Sequence, residues 1–388
     1  MPSKPKILIL VNHYLPGFHY GGPTRSIVNL IEWLGDDFDF FILTKDRDLN
    51  SNVPYLTISY GKWNAVGKAH VRYLTPQEQQ LTNLARIYRQ IDYDSLYLNV
   101  VFSALTIETL SLYRTGLLPR KPVILASRGT LNPSALNLKS RKKSFFLDLA
   151  RKTGLYKNLV WHATSPEEVI EIQNVFGSKI ANQVYCVENL PSPIPQLATR
   201  VSVNKIPGTA RIVYLSRIDP KKNLHFALEC LSQIEKDVEF DIYGPIKDEK
   251  YWQECQLAIQ ALPSNIRVNY MGAVDLDAVA DVLQQYHLFF LPTLNENFGH
   301  TILEALCAGC PILISDRTPW KTNKVQSIGW VSPLEKPELF VNSICELIDM
   351  DTEAFAALSE NARDFGRNYI NSSTSVEDMR KFLHDVSM

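Results

Sequence analysis

Residues 289–315 read FFLPTLNENFGHTILEALCAGCPILIS, and this stretch decides the fold. The apolar run Leu288–Leu291 is short enough for a strand buried on both faces, and a polar turn containing glycine follows it. The segment Thr301–Ala308 is compatible with a helix that glycine and proline end, and Pro311–Ser315 predicts the next buried strand. This order of strand, turn, helix and strand is typical of a parallel α/β sheet, and the turn places backbone N–H groups where an anion can bind.

Two carboxylates distinguish this unit from an ordinary sheet connection. Glu296 lies in the turn, and Glu304 lies in the apolar helical segment, with seven residues between the two. A carboxylate inside such a segment cannot be buried without hydrogen-bond donors, which a pair of sugar hydroxyls would supply. The alternative is that Glu304 faces solvent on an amphipathic helix and that Glu296 is an ordinary turn residue.

The motifs Glu296–Gly299, Glu304–Ala305 and Gly309–Pro311 together resemble the E-x7-E signature of glycosyltransferase family 4, whose members are retaining enzymes with the GT-B fold. The resemblance implies that Glu296 contacts the donor sugar and that Glu304 binds the ribose hydroxyls of a nucleotide-sugar donor. It also implies that the backbone N–H groups of the turn hold the donor diphosphate. The donor-binding residues of this turn are then Asn297, Phe298, Gly299, His300 and Thr301.

A second motif lies after the predicted strand Arg211–Leu215, in a turn that contains Arg217 and Lys222. The turn resembles the R-x4-K element of the same family, in which the Arg and Lys bind the donor diphosphate. Such cations fit the chemistry, because breaking the sugar–phosphate bond leaves negative charge that fixed positive groups stabilise. Asn223 stands where many relatives have glycine, a difference that leaves the charges intact. We therefore predict Arg217, Lys222 and Glu296 as catalytic residues, with an ion pair within the loop as the alternative for the two cations.

Gly21 and Gly22 lie before the predicted helix Ile27–Leu34, for which Thr24 or Ser26 would be the N-cap. Glycine lets the backbone approach a ligand closely, although an ordinary turn is the alternative. The family resemblance implies that a glycine-rich loop at this point lies over the cleft between two domains, near the donor phosphate and the acceptor. The loop lacks the G-x-G-x-x-G spacing of a dinucleotide fingerprint.

Four further residues at or near the ends of predicted strands are weaker candidates. The pair Arg128–Gly129 resembles bacterial surface-polysaccharide glycosyltransferases, whereas many other family members carry a histidine nearby. Arg128 would contact a donor or acceptor phosphate or else form an ion pair within its loop. His162 would reach the cleft or else be a core histidine with a backbone partner. Gly244 and Met271 end two predicted strands of the C-terminal half.

Residues 134–157 form a locally basic segment in which apolar residues recur at roughly helical spacing. A basic amphipathic helix can lie on an anionic membrane surface, and the substrates of the resembled family are often lipid-linked. The alternative is a helix that packs its apolar stripe on the core and exposes an ordinary basic face. The cations of the segment are Lys139, Arg141, Lys142, Lys143, Arg151, Lys152 and Lys157.

The length of 388 residues is too great for one ordinary core and suggests two domains. Strands and helices alternate in both halves, which predicts α/β domains with parallel sheets. We predict a Rossmann-like acceptor-binding domain at 1–190, a proline-rich linker at 191–208, a Rossmann-like donor-binding domain at 209–370, and a final helix at 371–388 that crosses back to the first domain. The resemblance implies that the two doubly wound domains face a central cleft, as in the GT-B fold.

The composition argues against several classes of protein. The formal net charge of −1 gives no general attraction to nucleic acid, and a hydrophobic fraction of 45% is normal for a globular protein. The first residues show no signal-peptide pattern, and no apolar run is long enough to span a bilayer. Six scattered cysteines favour a reducing compartment over a disulfide framework. We therefore expect a cytoplasmic protein, with the basic segment as a peripheral contact to the inner face of the plasma membrane.

The sequence contains few patterns that are typical of metal ligands. Cys307 and Cys310 have C-x-x-C spacing, but they follow a predicted helix without a second pair, so packing is the better interpretation. Asp46 and Asp48 have the bare D-x-D spacing, but they lie in an early loop far in sequence from the donor motifs. We therefore expect no metal and no cofactor, with the nucleotide sugar as a substrate.

Together these patterns predict a retaining glycosyltransferase that moves a hexose-type sugar from a UDP- or GDP-sugar to a hydroxyl of a glycan or lipid-linked glycan, in surface polysaccharide biosynthesis. Two alternatives remain open. A nucleotide-sugar epimerase of the same architecture would need no acceptor, and a non-catalytic protein would bind a sugar nucleotide without turnover. The positive and acidic motifs resemble the transferases better than the epimerases.

Overall fold

The computed structural model of the chain shows two compact units, one formed by Met1–Leu190 with Thr374–Met388 and the other by Pro191–Ser373. The structure describes residues 4–17, 21–49, 51–137, 140–177, 183–193, 203–320 and 327–388. Residues 194–202 of the predicted linker, and Lys139 of the basic segment, lie outside the described residues.

Within its described residues, the first unit contains eight strands: β1 (Lys6–Leu10), β2 (Asp39–Lys45), β3 (Asn64–Val66), β4 (Ala69–Leu74), β5 (Ser95–Asn99), β6 (Val123–Ala126), β7 (Val160–Ala163) and β8 (Val184–Cys186). They form one sheet in the order β3-β4-β2-β1-β5-β6-β7-β8. Neighbouring strands are parallel except β3 and β4, which form an antiparallel pair at one edge. The central strands are apolar on both faces because helices cover both faces of such a sheet.

The helices of the first unit are α1 (Gly22–Leu34), α2 (Leu81–Arg89), α3 (Ala104–Arg114), α4 (Pro133–Asn137), α5 (Ser140–Thr153) and α6 (Pro166–Phe176). The prediction that Thr24 or Ser26 caps α1 is wrong, because the helix begins earlier, at Gly22. A proline in the first turn fits the start of a helix, since its missing N–H has no intrahelical partner there. The Thr24 hydroxyl donates instead to the carbonyl of His13 (2.9 Å), and the Ser26 hydroxyl donates to the carbonyl of Gly22 (3.0 Å).

The described part of the second unit contains six strands: β9 (Thr209–Leu215), β10 (Asp237–Tyr243), β11 (Ile266–Gly272), β12 (Leu288–Leu291), β13 (Ile312–Ser315) and β14 (Gly329–Ser332). All neighbours in this sheet are parallel, in the order β11-β10-β9-β12-β13-β14. Its helices are α7 (Leu224–Leu231), α8 (Glu249–Gln260), α9 (Val279–Leu283), α10 (His300–Ala308), α11 (Pro337–Asp349) and α12 (Thr352–Ser372).

The last helix, α13 (Ser375–Ser387), belongs to the first unit. Its buried residues Met379, Phe382 and Leu383 share one apolar core with Ile7 and Ile9 of β1. The hydroxyl groups of Ser387 and Ser95 also form a hydrogen bond of 2.8 Å. The C-terminal residues therefore complete the core that the N-terminal strand begins. Among the described residues, no helix combines the length and the apolar content that crossing a membrane requires.

Lys205 is a buried lysine that anchors the start of the second unit. The residue is 1% exposed, and its ammonium group donates to the carbonyls of Ile206 (3.0 Å), Ile348 (2.9 Å) and Met350 (3.3 Å). Two of these carbonyls lie at the C-terminal end of α11, where a positive charge also interacts favourably with the helix dipole. Burial lowers the pKa of Lys205, because removal from water destabilises its charged form. The three hydrogen bonds to carbonyl groups offset part of this desolvation cost.

We expect the substitution Lys205→Met to lower the free energy of unfolding by about 1–3 kcal/mol, because it removes the three hydrogen bonds that the ammonium group donates to backbone carbonyls. The control is Lys236→Met, which removes a surface ion pair to Asp349 and is expected to change stability by less than about 0.5 kcal/mol. Urea unfolding of both variants measures the difference. Equal stability of the two variants would contradict the anchoring role of Lys205.

Candidate functional site

The second sheet contains a switch in the direction in which the chain winds. Strand β9 lies between β10 and β12, so the chain builds one side of the sheet through β10 and β11 and then returns to the other side at β12. Open α/β sheets bind ligands at the carboxyl ends of their strands where this reversal occurs. The loops that follow β9 and β12 carry the two motifs singled out in the sequence, so the fold brings these motifs to adjacent positions.

The loop after β9 forms a short, well-capped turn. Asp219 precedes a single 3-10 turn at Pro220–Lys222, and its carboxylate accepts a hydrogen bond of 3.0 Å from the backbone N–H of Lys221. Asn223 follows in a left-handed conformation with φ 60° and ψ 41°. Its side-chain amide donates to the carbonyl of Pro292 (3.0 Å), which adjoins β12. Asparagine tolerates this conformation better than most residues, which explains how it can replace the glycine of many relatives.

The loop after β12 is hydrogen-bonded directly to the loop after β9. The backbone N–H of Leu294 and the hydroxyl of Thr293 both donate to the carbonyl of Lys221, at 2.9 and 3.1 Å. The backbone N–H of Glu296 donates to the carbonyl of Arg317 (3.0 Å), beyond β13. Three adjacent strand ends therefore fix the position of the Glu296 backbone.

The turn before α10 requires glycine. Gly299 has φ 81°, and a Cβ atom there would lie 2.7 Å from the Cδ1 atom of Ile302. Phe298 is buried, and its carbonyl accepts a hydrogen bond of 2.5 Å from the indole of Trp320. The helix then begins at His300, with Thr301 also in its first turn, and the first N–H groups of a helix have no acceptor within the helix. This helix start therefore offers backbone donors and the positive end of the helix dipole to an anion.

Side chains of these two loops, together with Lys247 from the loop after β10, form a charged cluster with an excess of two positive charges. We define the cationic cluster as Arg217, Asp219, Lys221, Lys222, Lys247 and Glu296. Lys222 forms an ion pair with Glu296, and both side chains are mostly buried, at 11% and 19% exposure. Asp219 lies 3.3 Å from the ammonium of Lys247 and 3.7 Å from the guanidinium of Arg217.

The cations set the protonation state of both carboxylates in the cationic cluster. Burial by itself would raise the pKa of Glu296, but the charges of Lys222, Lys221 and Arg217 outweigh burial and hold this pKa below its ordinary value. Burial likewise opposes ionisation of Asp219, and its pKa is also lowered by the neighbouring cations. The pKa of Lys221 is lowered by burial and by the positive charges of Lys222 and Arg217, despite the opposing attraction of Glu296. The cluster is therefore electropositive, and binding of an anion would relieve the mutual repulsion of its cations.

Glu304 lies within α10 and is neither fully buried nor fully exposed. The hydroxyl of Ser192 donates to its carboxylate at 3.1 Å. Glu304 thus already accepts a hydrogen bond from an alcohol, the chemical group that a ribose would present. Both residues belong to the second unit.

The weaker candidates of the second unit lie at the same sheet edge. Gly244 follows β10 with φ 136°, and a Cβ atom there would lie 1.9 Å from the carbonyl oxygen of Ser216. This glycine allows the loop after β9 to approach β10. Met271 lies near the end of β11 and is 51% exposed. The adjacent Tyr270 hydroxyl donates to the carbonyl of Gly244 (3.0 Å).

The remaining candidates belong to the first unit. Gly21 precedes α1 with φ 76°, and a Cβ atom at Gly22 would meet no heavy atom within 4 Å. Arg128 donates hydrogen bonds to the side chains of Tyr97, Asn99 and Asn189 in this unit. His162 is completely buried, with its ring nitrogens 2.6 Å from the Tyr97 hydroxyl and 2.8 Å from the Val187 carbonyl. Burial and, to a smaller extent, the charge of Arg128 lower the pKa of His162 to about 3. It is therefore a neutral core histidine with a backbone partner, the alternative given in the sequence analysis.

Sequence reasoning assigned no role to four residues that the structure brings to the site, namely Ser192, Asp219, Lys221 and Lys247. Asp219 and Lys221 lie inside the quoted R-x4-K motif, so the motif itself was a sufficient signal. Lys247 follows Gly244 just beyond a strand end, where the rule for ligand binding in parallel sheets applies. Ser192 lies in the proline-rich segment, and no signal in the sequence pointed to it.

The described residues contain no group of three or more His, Cys, Asp or Glu side chains arranged to hold a metal ion. Cys307 and Cys310 are buried, and burial raises the pKa of the Cys307 thiol to about 12, so it remains protonated. Asp46 forms an ion pair of 2.8 Å with Arg47 in the first unit.

Comparison with known proteins shows a family match over part of the chain and a structural match over nearly all of it. Residues 197–365 match the family model described as Glycosyl transferases group 1, whereas no curated protein sequence matches the chain. The solved structure of Alr3699/HepE from Anabaena in complex with UDP and glucose has a TM-score of 0.68 at 17% identity, covering 98% of this chain and 100% of that chain. Sucrose-phosphate synthase from Thermosynechococcus elongatus has a TM-score of 0.73 at 14% identity, with 98% and 99% coverage. WaaG, a glycosyltransferase involved in lipopolysaccharide biosynthesis, has a TM-score of 0.65 at 12% identity, with 97% and 99% coverage.

The matched structures share the architecture of two parallel-sheet α/β domains, and the predicted fold class is confirmed. The matched family model spans the part of the chain that carries the R-x4-K and E-x7-E motifs. The chain therefore has the GT-B fold, and its residues 197–365 match the family model of glycosyl transferases group 1.

Proposed function

We propose that this protein is a glycosyltransferase that transfers a hexose-type sugar from a UDP- or GDP-sugar to a hydroxyl of a glycan or lipid-linked glycan, with retention of anomeric configuration, in surface polysaccharide biosynthesis. The observation that carries the proposal is the cationic cluster at the switch point of the second sheet, next to the start of α10. Diphosphate is the anion that fits two excess positive charges. The Anabaena protein with a similar fold binds UDP and UDP-glucose, which supports this class of donor.

The proposed chemistry places the positive groups at the leaving group. When the bond between the sugar and the diphosphate breaks, negative charge develops on the phosphate oxygens, and fixed cations and helix N–H groups stabilise it. Arg217 and Lys222 are the cations proposed for this role, and the backbone of residues 297–301 supplies the N–H groups. Retention implies attack from the face of the departing phosphate, which also helps to deprotonate the acceptor, so no side-chain nucleophile is required.

The ion pair between Lys222 and Glu296 suggests how the donor enters this site. A diphosphate carries more charge than one carboxylate, so its arrival gives Lys222 a stronger partner. Glu296 is then released from the pair and can accept hydrogen bonds from the sugar hydroxyls. Glu304, which already accepts a bond from Ser192, is proposed to bind the ribose hydroxyls. The cations supply the charge that a metal ion would otherwise provide, and we propose that donor binding requires no metal.

We expect Arg217→Gln and Lys222→Gln each to weaken UDP binding about tenfold to hundredfold, because each removes a charge-assisted interaction with the diphosphate. Calorimetric titration with UDP in buffer containing EDTA measures the dissociation constants. The matched control is Lys236→Gln, an exposed lysine of the same unit whose partner is Asp349, and its affinity for UDP should equal that of the wild type. Unchanged affinity in both site variants would refute the diphosphate assignment, and loss of wild-type binding in EDTA would refute metal independence.

We expect Glu296→Gln and Glu304→Gln to have opposite effects on binding and turnover. Glu296→Gln removes a negative charge from the cationic cluster, so UDP binds as tightly as before or more tightly, whereas donor turnover falls about a hundredfold because the sugar is no longer oriented. Glu304→Gln weakens UDP binding about tenfold and leaves turnover at saturating donor largely intact. UDP release from UDP-sugar and GDP release from GDP-sugar report turnover, beside the UDP titration.

The control for this pair is Glu239→Gln, which removes an ion pair with Arg211 elsewhere in the second unit. It should change neither quantity. If Glu296→Gln weakens UDP binding as strongly as Lys222→Gln does, then Glu296 supports the loop rather than the sugar, and its proposed role fails.

We also propose that α5 contacts an anionic membrane surface. Leu147 and Ala150 of this helix are buried, which agrees with the alternative of a helix packed on the core. Phe145 and Leu149, however, are 73% and 50% exposed on another face of the helix. The exposed cations of the described helix are Arg141, Lys142, Arg151 and Lys152. Exposed apolar side chains among cations are typical of helices that lie at the boundary between water and lipid headgroups.

Flotation with phosphatidylcholine vesicles, with and without phosphatidylglycerol, measures this contact. We expect binding only to the anionic vesicles, about tenfold weaker binding for Arg141→Gln/Lys142→Gln, and weaker binding for Phe145→Ser. The matched control is Ile170→Ser on α6, an apolar residue of the same unit that is 57% exposed. Equal binding of Phe145→Ser and Ile170→Ser would argue against α5 as the contact.

A further inference from the structure

Arg128 has an unusual backbone for a long side chain. It follows β6 with φ 50°, in the left-handed region, and Gly129 after it has φ 66°. Non-glycine residues seldom adopt this conformation, and residues that keep it tend to lie at functional sites. At the end of the adjacent strand β5, the β-branched residue Val100 also has a positive φ, of 71°. Backbone strain is therefore concentrated at the carboxyl ends of two neighbouring strands.

A buried carboxylate holds the loop of Arg128 in this conformation. Glu168 of α6 is 2% exposed, and it accepts hydrogen bonds from the Ser127 hydroxyl (2.5 Å) and the Gly129 backbone N–H (2.6 Å). It also accepts bonds from the backbone N–H and the hydroxyl of Thr164, at 2.7 and 2.8 Å. The residues before and after Arg128 are thus hydrogen-bonded to the buried carboxylate of Glu168. These bonds fix the backbone position of Arg128.

The guanidinium of Arg128 is oriented by neutral groups alone. Its Nε donates to the Asn99 amide oxygen (3.1 Å), one terminal nitrogen donates to the Tyr97 hydroxyl (3.0 Å), and the other donates to the amide oxygen of Asn189. In the part of the chain that the structure describes, Arg128 forms no ion pair with a carboxylate. A guanidinium has five N–H donors, so two remain beyond these three bonds, and the residue is partly exposed.

The groups that are bonded directly to the Arg128 guanidinium carry no negative charge. His162, which is also bonded to Tyr97, is neutral, and the positive charge of Arg128 contributes to the low pKa of that histidine. The oxygens of Glu168 already accept bonds from hydroxyl and amide donors. A fixed, partly buried guanidinium whose bonded partners among the described residues are neutral can bind a phosphate or a carboxylate, the groups that its planar geometry matches.

We propose that Arg128 binds an anionic oxygen group, phosphate or carboxylate, on the acceptor, so that the acceptor is an acidic sugar or a sugar phosphate rather than a neutral sugar. The site lies at the carboxyl edge of the first sheet, beside the ends of β5 and β8, where open α/β sheets bind ligands. The identification of this ligand as an acceptor rests on the proposed function, whereas the binding of an anion does not.

The test is calorimetric titration of the whole protein saturated with UDP, so that the nucleotide occupies the cationic cluster. The probes are glucose, glucose 6-phosphate, glucuronate and inorganic phosphate. We expect the two anionic sugars to bind at least about tenfold more tightly than glucose, and Arg128→Gln to abolish this difference while its affinity for UDP is unchanged. Arg128→Lys keeps the charge without the planar fork and should retain part of the preference. Arg86→Gln, on the exposed face of α2, is the matched control and should behave as the wild type.

Each result has a defined meaning. Tighter binding of glucose 6-phosphate than of glucuronate identifies a phosphate site, the reverse identifies a carboxylate site, and binding of inorganic phosphate alone would overturn the acceptor assignment. An unchanged preference in both Arg128 variants overturns the proposal altogether. If Arg128→Gln fails to fold, as its unfolding midpoint will reveal, the partial loss in Arg128→Lys decides the question. If UDP does not bind to the wild type, the proposed function fails, but the difference between wild type and the Arg128 variants still tests the anion site.

Discussion

The charge balance of the cationic cluster depends on the attraction between Lys222 and Glu296, across the point where the second sheet reverses its winding. Each residue belongs to a different loop, and the hydrogen bonds from Leu294 and Thr293 to the Lys221 carbonyl bring these loops together. Without Glu296, Arg217, Lys221 and Lys222 would repel one another with only Asp219 to offset them. The carboxylate therefore offsets part of the positive charge of the site before any ligand is present.

The internal carboxylate also influences which anions can bind. A free phosphate must compete with Glu296 for Lys222, and it brings nothing to replace the contacts that the carboxylate loses. Under the proposed function, a nucleotide sugar would bring both a diphosphate for the cations and hydroxyl groups for the displaced carboxylate. The same ion pair that stabilises the empty site can therefore discriminate against simple anions, since specificity often comes from a cost that only the correct ligand offsets.

Much of this architecture could be predicted from the sequence, for identifiable physical reasons. The buried strands β12 and β13 and helix α10 were predicted because apolar runs, a polar turn and terminal glycine and proline agree over residues 289–315. The start of α1 was predicted too late because its N-cap is Gly21, which has no side chain that could form a capping bond. The edge pair β3 and β4 was not predicted: β3 has only three residues, but β4 alternates buried Ala69, Val71 and Tyr73 with more exposed residues, a signal that was overlooked.

Side-chain roles were harder to predict than strands, because residue type alone does not reveal the partners of a charge. His162 and Arg128 were both predicted by the same rule, that polar residues near strand ends bind ligands. The fold buries His162 as a neutral core residue, whereas it holds Arg128 as a partly exposed cation. The two sheets also manage positive charge in different ways. In the second unit carboxylates offset the cations, so a ligand must displace a charge, whereas in the first unit amide and hydroxyl oxygens orient Arg128 without neutralising it. An anion that binds at Arg128 therefore breaks no ion pair among the described residues.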